Sequence, residues 1–329
     1  MKVNNLFDKE IQSVPMGGEQ AFRFSGLHRR THFLSNYHQD LFHARKCWGF
    51  SCQLGEGLHW NTFDNCLYWV DIRRNRIHQF NPESQLHQYR TFTESVCWVV
   101  HNQQGEMVAG FASGIYRVDF TRGERTVIVQ PPEPTSNRLN DASVDPSGCL
   151  WFGSMDNSEQ MPTGKLYRMA SMSERPQVVD DGYVVSNGPV ITPDGRLMYH
   201  NSSSERTIYR FILDSRGIPL TKEPFAQFDE EMGCPDGMVM DAEGGLWVAQ
   251  WGGHGIVRYT ADGNIDVRVE LPVPLVTNVC FGGKNLDRLF VTTAYQGLSL
   301  QQRLKYPQAG CLFELNVGVK GLAATPFNC

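Results

Sequence analysis

The stretch NRLNDASVDPSGCLWFGSM (137–155) holds a polar lead-in, a tight turn and a short apolar strand in immediate succession. Its turn, VDPSG (144–148), is built from Asp, Pro and Gly, which tolerate the positive-φ geometry of a hairpin. Its strand, LWFGS (150–154), is one of a set. The others are LYWVD (67–71), MVAGF (107–111), LMYHN (197–201), LWVAQ (246–250) and LFVTT (289–293). From one lead Leu or Met to the next the steps are 40, 43, 47, 49 and 43 residues. The turns ITPDG (191–195) and MDAEG (240–244) repeat the VDPSG pattern ahead of their own strands.

A further strand follows each of these: RIHQF (76–80), GIYRV (114–118), KLYRM (165–169), TIYRF (207–211), GIVRY (255–259) and CLFEL (311–315). Their apolar-polar alternation is that of half-buried antiparallel strands. Fourth strands are fainter, as in QLHQY (85–89) and IDVRVEL (265–271). A period of this length with several short strands per unit marks a propeller blade. The sequence therefore predicts an all-β fold, a six-bladed β-propeller, with few helices. The alternative architecture, a β-sandwich or two stacked β domains, is disfavoured by six evenly spaced units with no linker between them. Residues 1–45 stand outside the repeat and are expected to form an N-terminal extension of unknown role. It would pack on the surface, or serve as a lid or oligomer contact. Residues 46–329 are expected to form the six-bladed propeller domain.

Bulk properties narrow the function. A net charge of -5 and the lack of any basic run argue against a nucleic-acid or anionic-membrane partner. No apolar stretch is long enough to span a bilayer. MKVNNLFDKEIQSVP at the N-terminus lacks the apolar core of a signal peptide. Nine scattered cysteines without a Cys-x-x-Cys pair fit free thiols, and hence a cytoplasmic setting.

The repeat also fixes a phase. Glu56 lies eleven residues before Leu67, and Asn140, Asn187 and Asp236 lie ten before Leu150, Leu197 and Leu246. In a radial arrangement these four side chains converge on one point. Two acids and two amide carbonyls form an all-oxygen donor set suited to a hard cation such as Ca²⁺, Mg²⁺ or Mn²⁺. An isolated Asn-Gly or Asp-Gly is usually only a turn; Asn187-Gly188 and Asp236-Gly237 share the repeat phase, which favours a site. The same phase gives Cys97 in the second unit and Val279, beside Asn278, in the sixth. Cys97 is read as a buried thiol. Asp145, Asp194 and Asp241 sit in the hairpin turns and read as structural, and the tryptophans read as packing between blades. His59, His101 and His200 lie near strand ends, with no Ser or Cys nucleophile motif beside them.

LGEGLHW (54–60), NRLNDASVDPSGCLWFGSM (137–155), SNGPVITPDGRLMY (186–199), CPDGMVMDAEGGLWVAQWGG (234–253), CFGGKNLDRLFVTTA (280–294) and the tail GVKGL (318–322) together resemble the SMP-30/gluconolactonase/luciferin-regenerating family. The resemblance covers about residues 50–325 and several motifs in the family's order. It implies a six-bladed propeller with one divalent metal at the axis. By resemblance the metal ligands are Glu56, Asn187 and Asp236. Arg138 and Asn140 hold the substrate, and Asn140 is a further ligand directly or through water. Asp236 is the catalytic base. The sequence departs from the family pattern at three places. Leu58 replaces a proline, Ser202 stands where many members carry Asp, and DNSEQ (156–160) offers only Glu159 as a counterpart in that loop.

The function this implies is metal-dependent hydrolysis of a sugar lactone, an aldonolactone such as gluconolactone, to the sugar acid. The metal is Ca²⁺, Zn²⁺, Mg²⁺, Mn²⁺ or Fe²⁺. The partner is a small-molecule lactone, and the chain is expected to be a monomer or small homo-oligomer. Two other readings stand beside it: a calcium-binding regulatory propeller without significant catalysis, and a metal-dependent aryl-ester or organophosphate hydrolase.

Overall fold

A computed structural model describes residues 44–329. The N-terminal extension up to residue 43 lies outside the described residues. Six four-stranded antiparallel sheets stand around one axis. Blade 1 comprises Gly55–Asn61, Cys66–Asp71, Arg76–Asn81 and Leu86–Thr91, from the axis outward. Blade 2 comprises Val96–His101, Met107–Phe111, Gly114–Asp119 and Glu124–Val129. Blade 3 comprises Asn137–Val144, Leu150–Asp156, Gly164–Met169 and Gln177–Tyr183. Blade 4 comprises Ser186–Ile191, Leu197–Ser202, Thr207–Leu213 and Pro219–Gln227. Blade 5 comprises Cys234–Met240, Leu246–Trp251, Gly255–Tyr259 and Ile265–Glu270.

Blade 6 takes Val276–Gly282, Arg288–Thr293 and Leu312–Leu315 from the end of the chain, and its outermost strand, Arg45–Trp48, from the beginning. Lys46 pairs with Phe313 and Arg45 with Glu314. This strand spans the expected boundary at residue 45, so the propeller begins slightly earlier than the repeat alone indicates. The first and last segments share one sheet, and the ring is closed by backbone hydrogen bonds. The innermost strands neighbour one another in order around the axis, with blade 6 against blade 1.

The core is divided into layers between blades. Trp247, Ile256 and Val269 of blade 5 pack on Val279, Phe281 and Val291 of blade 6. Tyr68 and Val70 meet Val96 and Ala109, and Trp98 and Val108 meet Phe152 and Tyr167. Similar layers join blades 3 and 4, 4 and 5, and 6 and 1. A blade is therefore covered on both faces, and its second strand reads as a nearly continuous apolar run, as strands buried on both faces do. Full burial of each large apolar side chain contributes about 1.5–3 kcal/mol.

The hairpin aspartates secure these layers. Asp145 accepts from the backbone N–H of Ser147 and Cys149 and, through Oδ2, from Trp151 Nε1 at 2.8 Å. Asp241 repeats this with Glu243, Gly245 and Trp247, and adds a buried ion pair with Arg258. Both aspartates are structural, as expected. Among the described residues no helix is long and apolar enough to cross a membrane. The helix Leu300–Lys305 is a single short excursion in blade 6, begun by Ser299 in a capping box with Gln302.

Candidate active site

Every innermost strand loses register with its partner at one place. The slips fall between Glu56 and His59, Val96 and Trp98, Leu139 and Ala142, Asn187 and Val190, Pro235 and Met238, and Val276 and Asn278. A bulge of this kind inserts an unpaired residue and re-aims the side chains beside it. Glu56, Asn140, Asn187 and Asp236 all lie at these irregularities, close to the axis. The glycines that follow keep the strands near together. A Cβ on Gly237 would stand 2.3 Å from Asn278 Nδ2, closer than any side chain tolerates.

The expected residues come together as a buried polar network. Glu56, Arg138, Asn140, Asn187 and Asp236 are all less than a tenth exposed. Arg138 Nη1 donates to Asn140 Oδ1 at 2.6 Å and to the Leu139 carbonyl at 3.0 Å. Asn140 Nδ2 donates to Asn187 Oδ1 at 2.8 Å and to the Ser186 carbonyl at 2.7 Å. Asn187 Nδ2 donates to Ser203 Oγ, whose hydroxyl donates to the Pro235 carbonyl. One chain of hydrogen bonds thus runs from blade 3 through blade 4 to the residue before Asp236. Asn201 Nδ2 donates to the Asp236 carbonyl at 2.6 Å.

The acids are left comparatively bare. Asn278 Nδ2 approaches Glu56 Oε2 at 3.4 Å. Asp236 Oδ1 is buried without a hydrogen-bond partner. Burial pushes the Glu56 carboxyl up to about 8, and the negative charge of Asp141 adds to the rise, opposed by Asn278 and Arg138. Burial also holds Asp236 well above the usual carboxylate range, reinforced by Glu56 and Asp141. Asp141 is raised to about 6 by burial, against hydrogen bonds from Gly188 and Ala142.

Asp141 escapes the repeat phase, yet it is the third buried acid of the cluster. It follows Asn140 directly, inside the bulge, and its Oδ2 accepts from Gly188 N at 3.0 Å in blade 4. Asn201 and Asn278 are further residues the phase does not select, although Asn278 stands one place from it. Cys97 is fully buried beside Arg138. Its thiol is pushed up to about 11 by burial, as expected of an inert cysteine. Ser202 is buried and pairs across the sheet with Ser186. His200 is fully buried against Ser186 Oγ, and His59 and His101 stack on each other. Burial depresses all three imidazoles, to about 3, 3 and 4 for His200, His59 and His101.

One mouth of the site is framed by Arg138, whose Nε donates to Asn157 Oδ1 at 3.1 Å, and by Arg73, whose Nη1 donates to the same oxygen at 3.0 Å. Glu159 is exposed in the same loop, with φ of 57°. Toward the opposite face, Asp141 and Asn278 border an axial cavity of about 340 Å³. Its far wall is the tail around Leu322 and Thr325.

A divalent cation fits this donor set. Three buried acids repel one another at the axis, one carboxylate oxygen has no donor, and the neighbouring groups are amides. Positive charge among them offsets both burial and mutual repulsion. Among the described residues a second group, Cys52, Asp71 and His78, brings potential ligand atoms within 4.8 Å of one another. There Asp71 already accepts from the backbone N–H of Gln53, Leu54 and Arg74, and burial raises the Cys52 thiol to about 12. It is a hydrogen-bonded node of blade 1. The eight cysteines whose side chains are described are all free.

Comparison with known proteins agrees with this architecture. Residues 54–295 match the family model described as SMP-30/Gluconolactonase/LRE-like region. A pentonolactonase of Haloferax volcanii is 36% identical over 247 residues, which are 74% of this chain and 82% of that protein. A 6-deoxy-6-sulfogluconolactonase of Pseudomonas putida is 32% identical, over 83% of this chain and 94% of its own length. Among solved structures, a calcium-binding protein, regucalcin, from Agrobacterium tumefaciens superposes with a TM-score of 0.84 at 27% identity, covering 88% of this chain and 98% of that one. Family model, sequence relatives and fold agree, and the chain belongs to the SMP-30/gluconolactonase/LRE-like family.

Proposed function

We propose that the axial site hydrolyses sugar lactones to sugar acids with one divalent cation. The observation that carries the reading is the meeting of Glu56, Asp141 and Asp236 with Asn140 and Asn187 at one buried point, where Asp236 Oδ1 has no donor. Glu56, Asn187 and Asp236 would hold the cation. When bound, it supplies Lewis-acid polarisation of the ester carbonyl and acidifies a water. With positive charge at their centre the acids stay ionised, as a base requires. Asp236 accepts the proton of the attacking water. Water adds to the carbonyl carbon, the ring C–O bond breaks, and the proton passes to the departing ring oxygen.

Asn140 has its carbonyl committed to Arg138 and its N–H groups to Asn187 and Ser186. In this arrangement it fits the role of positioning group better than that of direct ligand. Arg138 faces the mouth and orients the lactone oxygens. Relatives named pentonolactonase and 6-deoxy-6-sulfogluconolactonase support a sugar lactone as substrate, and the calcium-binding neighbour supports a hard cation. The free thiols support a reducing, cytoplasmic setting.

The test is acid release from a panel of five- and six-membered aldonolactones by chelator-stripped protein, with Ca²⁺, Mg²⁺, Mn²⁺, Zn²⁺ or Fe²⁺ added back. Hydrolysis restored by a cation is expected. A protein that binds cations but opens no lactone would instead be a calcium-binding propeller, and one that cleaves only aryl esters or phosphotriesters would have the other hydrolase activity.

A further inference from the structure

The mouth of the site gathers guanidinium groups with no carboxylate in ion-pair contact; Glu159 attracts Arg73, and Glu56 attracts Arg138, only from beyond that range. Arg138 is 4% exposed, and its guanidinium donates to three neutral acceptors, Asn157 Oδ1, the Leu139 carbonyl and Asn140 Oδ1. Arg73, half-buried in the turn after the second strand of blade 1, spends Nη1 on the same Asn157 oxygen and Nε on Gln296 Oε1 at 2.7 Å. Its Nη2 has no partner among the described residues. Arg206, between the second and third strands of blade 4, reaches the Cys234 thiol two residues before Asp236.

Among the described residues, no carboxylate oxygen lies within 4.0 Å of Arg73, Arg138 or Arg206. Partly buried cations are normally paired. Two guanidinium groups sharing one amide oxygen repel each other: Arg73 is depressed first by burial and then by Arg138, against the attraction of Glu159. This is a local reversal in a chain whose net charge is -5. Asn157 is held in place by its loop, where Asp156 accepts from Ser158 Oγ and from the backbone N–H of Gln160 and Met161. The pair of arginines is therefore a built feature of the mouth.

From this arrangement we infer that the site selects lactones carrying an anionic group, a sulfonate, phosphate or carboxylate, at the end remote from the ring carbonyl, and that Arg73 is the residue that recognises it. The inference rests on the lactonase reading. With the ester carbonyl among Glu56, Asn187 and Asp236, a lactone extending along Arg138 would bring its far end to the Asn157 oxygen that Arg138 and Arg73 share, and so to Arg73. The planar guanidinium with its free Nη2 suits a charge-assisted hydrogen bond to such an oxygen.

The experiment compares kcat/KM for glucono-1,5-lactone, 6-phosphoglucono-1,5-lactone, 6-deoxy-6-sulfoglucono-1,5-lactone and a uronic-acid lactone, in the cation-loaded wild type and in Arg73→Gln and Arg73→Lys. At least one anionic lactone is expected to exceed the neutral one by tenfold or more, and the preferred lactone identifies the anion. Arg73→Gln is expected to raise KM for that lactone at least tenfold, to lower turnover of the neutral lactone by a smaller factor, and to leave the melting temperature within a few degrees. Arg73→Lys should recover part of the preference. Neutral lactones turned over as well as every anionic one, or equal losses for both in Arg73→Gln, would overturn the inference and leave the lactonase reading standing. Failure to open any lactone with any cation would overturn both.

Discussion

Asn140 donates its side-chain amide to Asn187 Oδ1 across 2.8 Å, tying blade 3 to blade 4 beside the three buried acids. The same Asn140 accepts from Arg138 at 2.6 Å. One amide therefore orients both a proposed cation ligand and a proposed substrate residue. Asn140→Ala removes both restraints and is expected to cost about 10–100-fold in kcat/KM or cation affinity. Asn187→Ala, which deletes a proposed ligand, should weaken cation binding more. Calorimetric titration of each variant with Ca²⁺ and Mn²⁺, beside lactone kinetics, checks the order.

Arg138→Ala should separate binding from catalysis. Loss of a charged hydrogen-bond donor in a buried site costs about 1.5–3 kcal/mol, hence roughly 10–100-fold in kcat/KM. Cation stoichiometry should not change. Unaltered kinetics at full cation occupancy would remove Arg138 from the site.

The acids make cation-dependent stability vary with pH. Glu56 is raised from an ordinary 4.5 to about 8, and Asp141 from 3.8 to about 6. In the metal-free fold these groups hold their protons more tightly than in the unfolded chain. Their contribution to stability is fully present below their unfolded values and is lost as pH rises toward 8. A cation replaces the missing protons. The Tm increase on adding a divalent cation should therefore be larger at pH 8 than at pH 5, by about 5 °C or more. Buried histidines, which lose stability as pH falls below their unfolded values, affect both samples and cancel in the difference. An increment independent of pH would contradict the placement of the cation among these acids.

The fold was legible because blades bury both faces, so LWFGS and LWVAQ announce their positions without help from neighbours. The buried polar cluster was legible where a polar residue stands ten or eleven places before that strand, as Glu56, Asn140, Asn187 and Asp236 do. Asp141 was hidden by the bulge. In a regular strand adjacent side chains face opposite sides, and only the inserted residue buries Asp141 with Asn140 at the axis. Arg45–Trp48 was hidden because its partner, Leu312–Leu315, lies at the other end of the chain, and a four-residue edge strand has little pattern of its own. Arg73 belongs to a turn, where no period exists to mark it.

Stability and chemistry should separate at Asp241. It is 1% exposed and holds Trp247 Nε1 at 2.8 Å and Arg258 Nε at 2.6 Å. Asp241→Ala leaves Arg258 with only the more exposed Asp266 and Glu243 and frees Trp247 Nε1, which costs about 2–3 kcal/mol and lowers Tm by several degrees. Cation affinity at the axis should stay within a factor of two or so of wild type, since no hydrogen bond links Asp241 to the acids.

The central claim, that a cation-dependent lactonase has Asp236 as its base, is tested most directly by Asp236→Asn. The substitution keeps an oxygen ligand and the side-chain shape and removes the proton acceptor. The variant should fold and still bind a divalent cation, while lactone hydrolysis falls by about 10²–10⁴. Wild-type hydrolysis by Asp236→Asn, or by wild-type protein stripped of cations, would contradict the account.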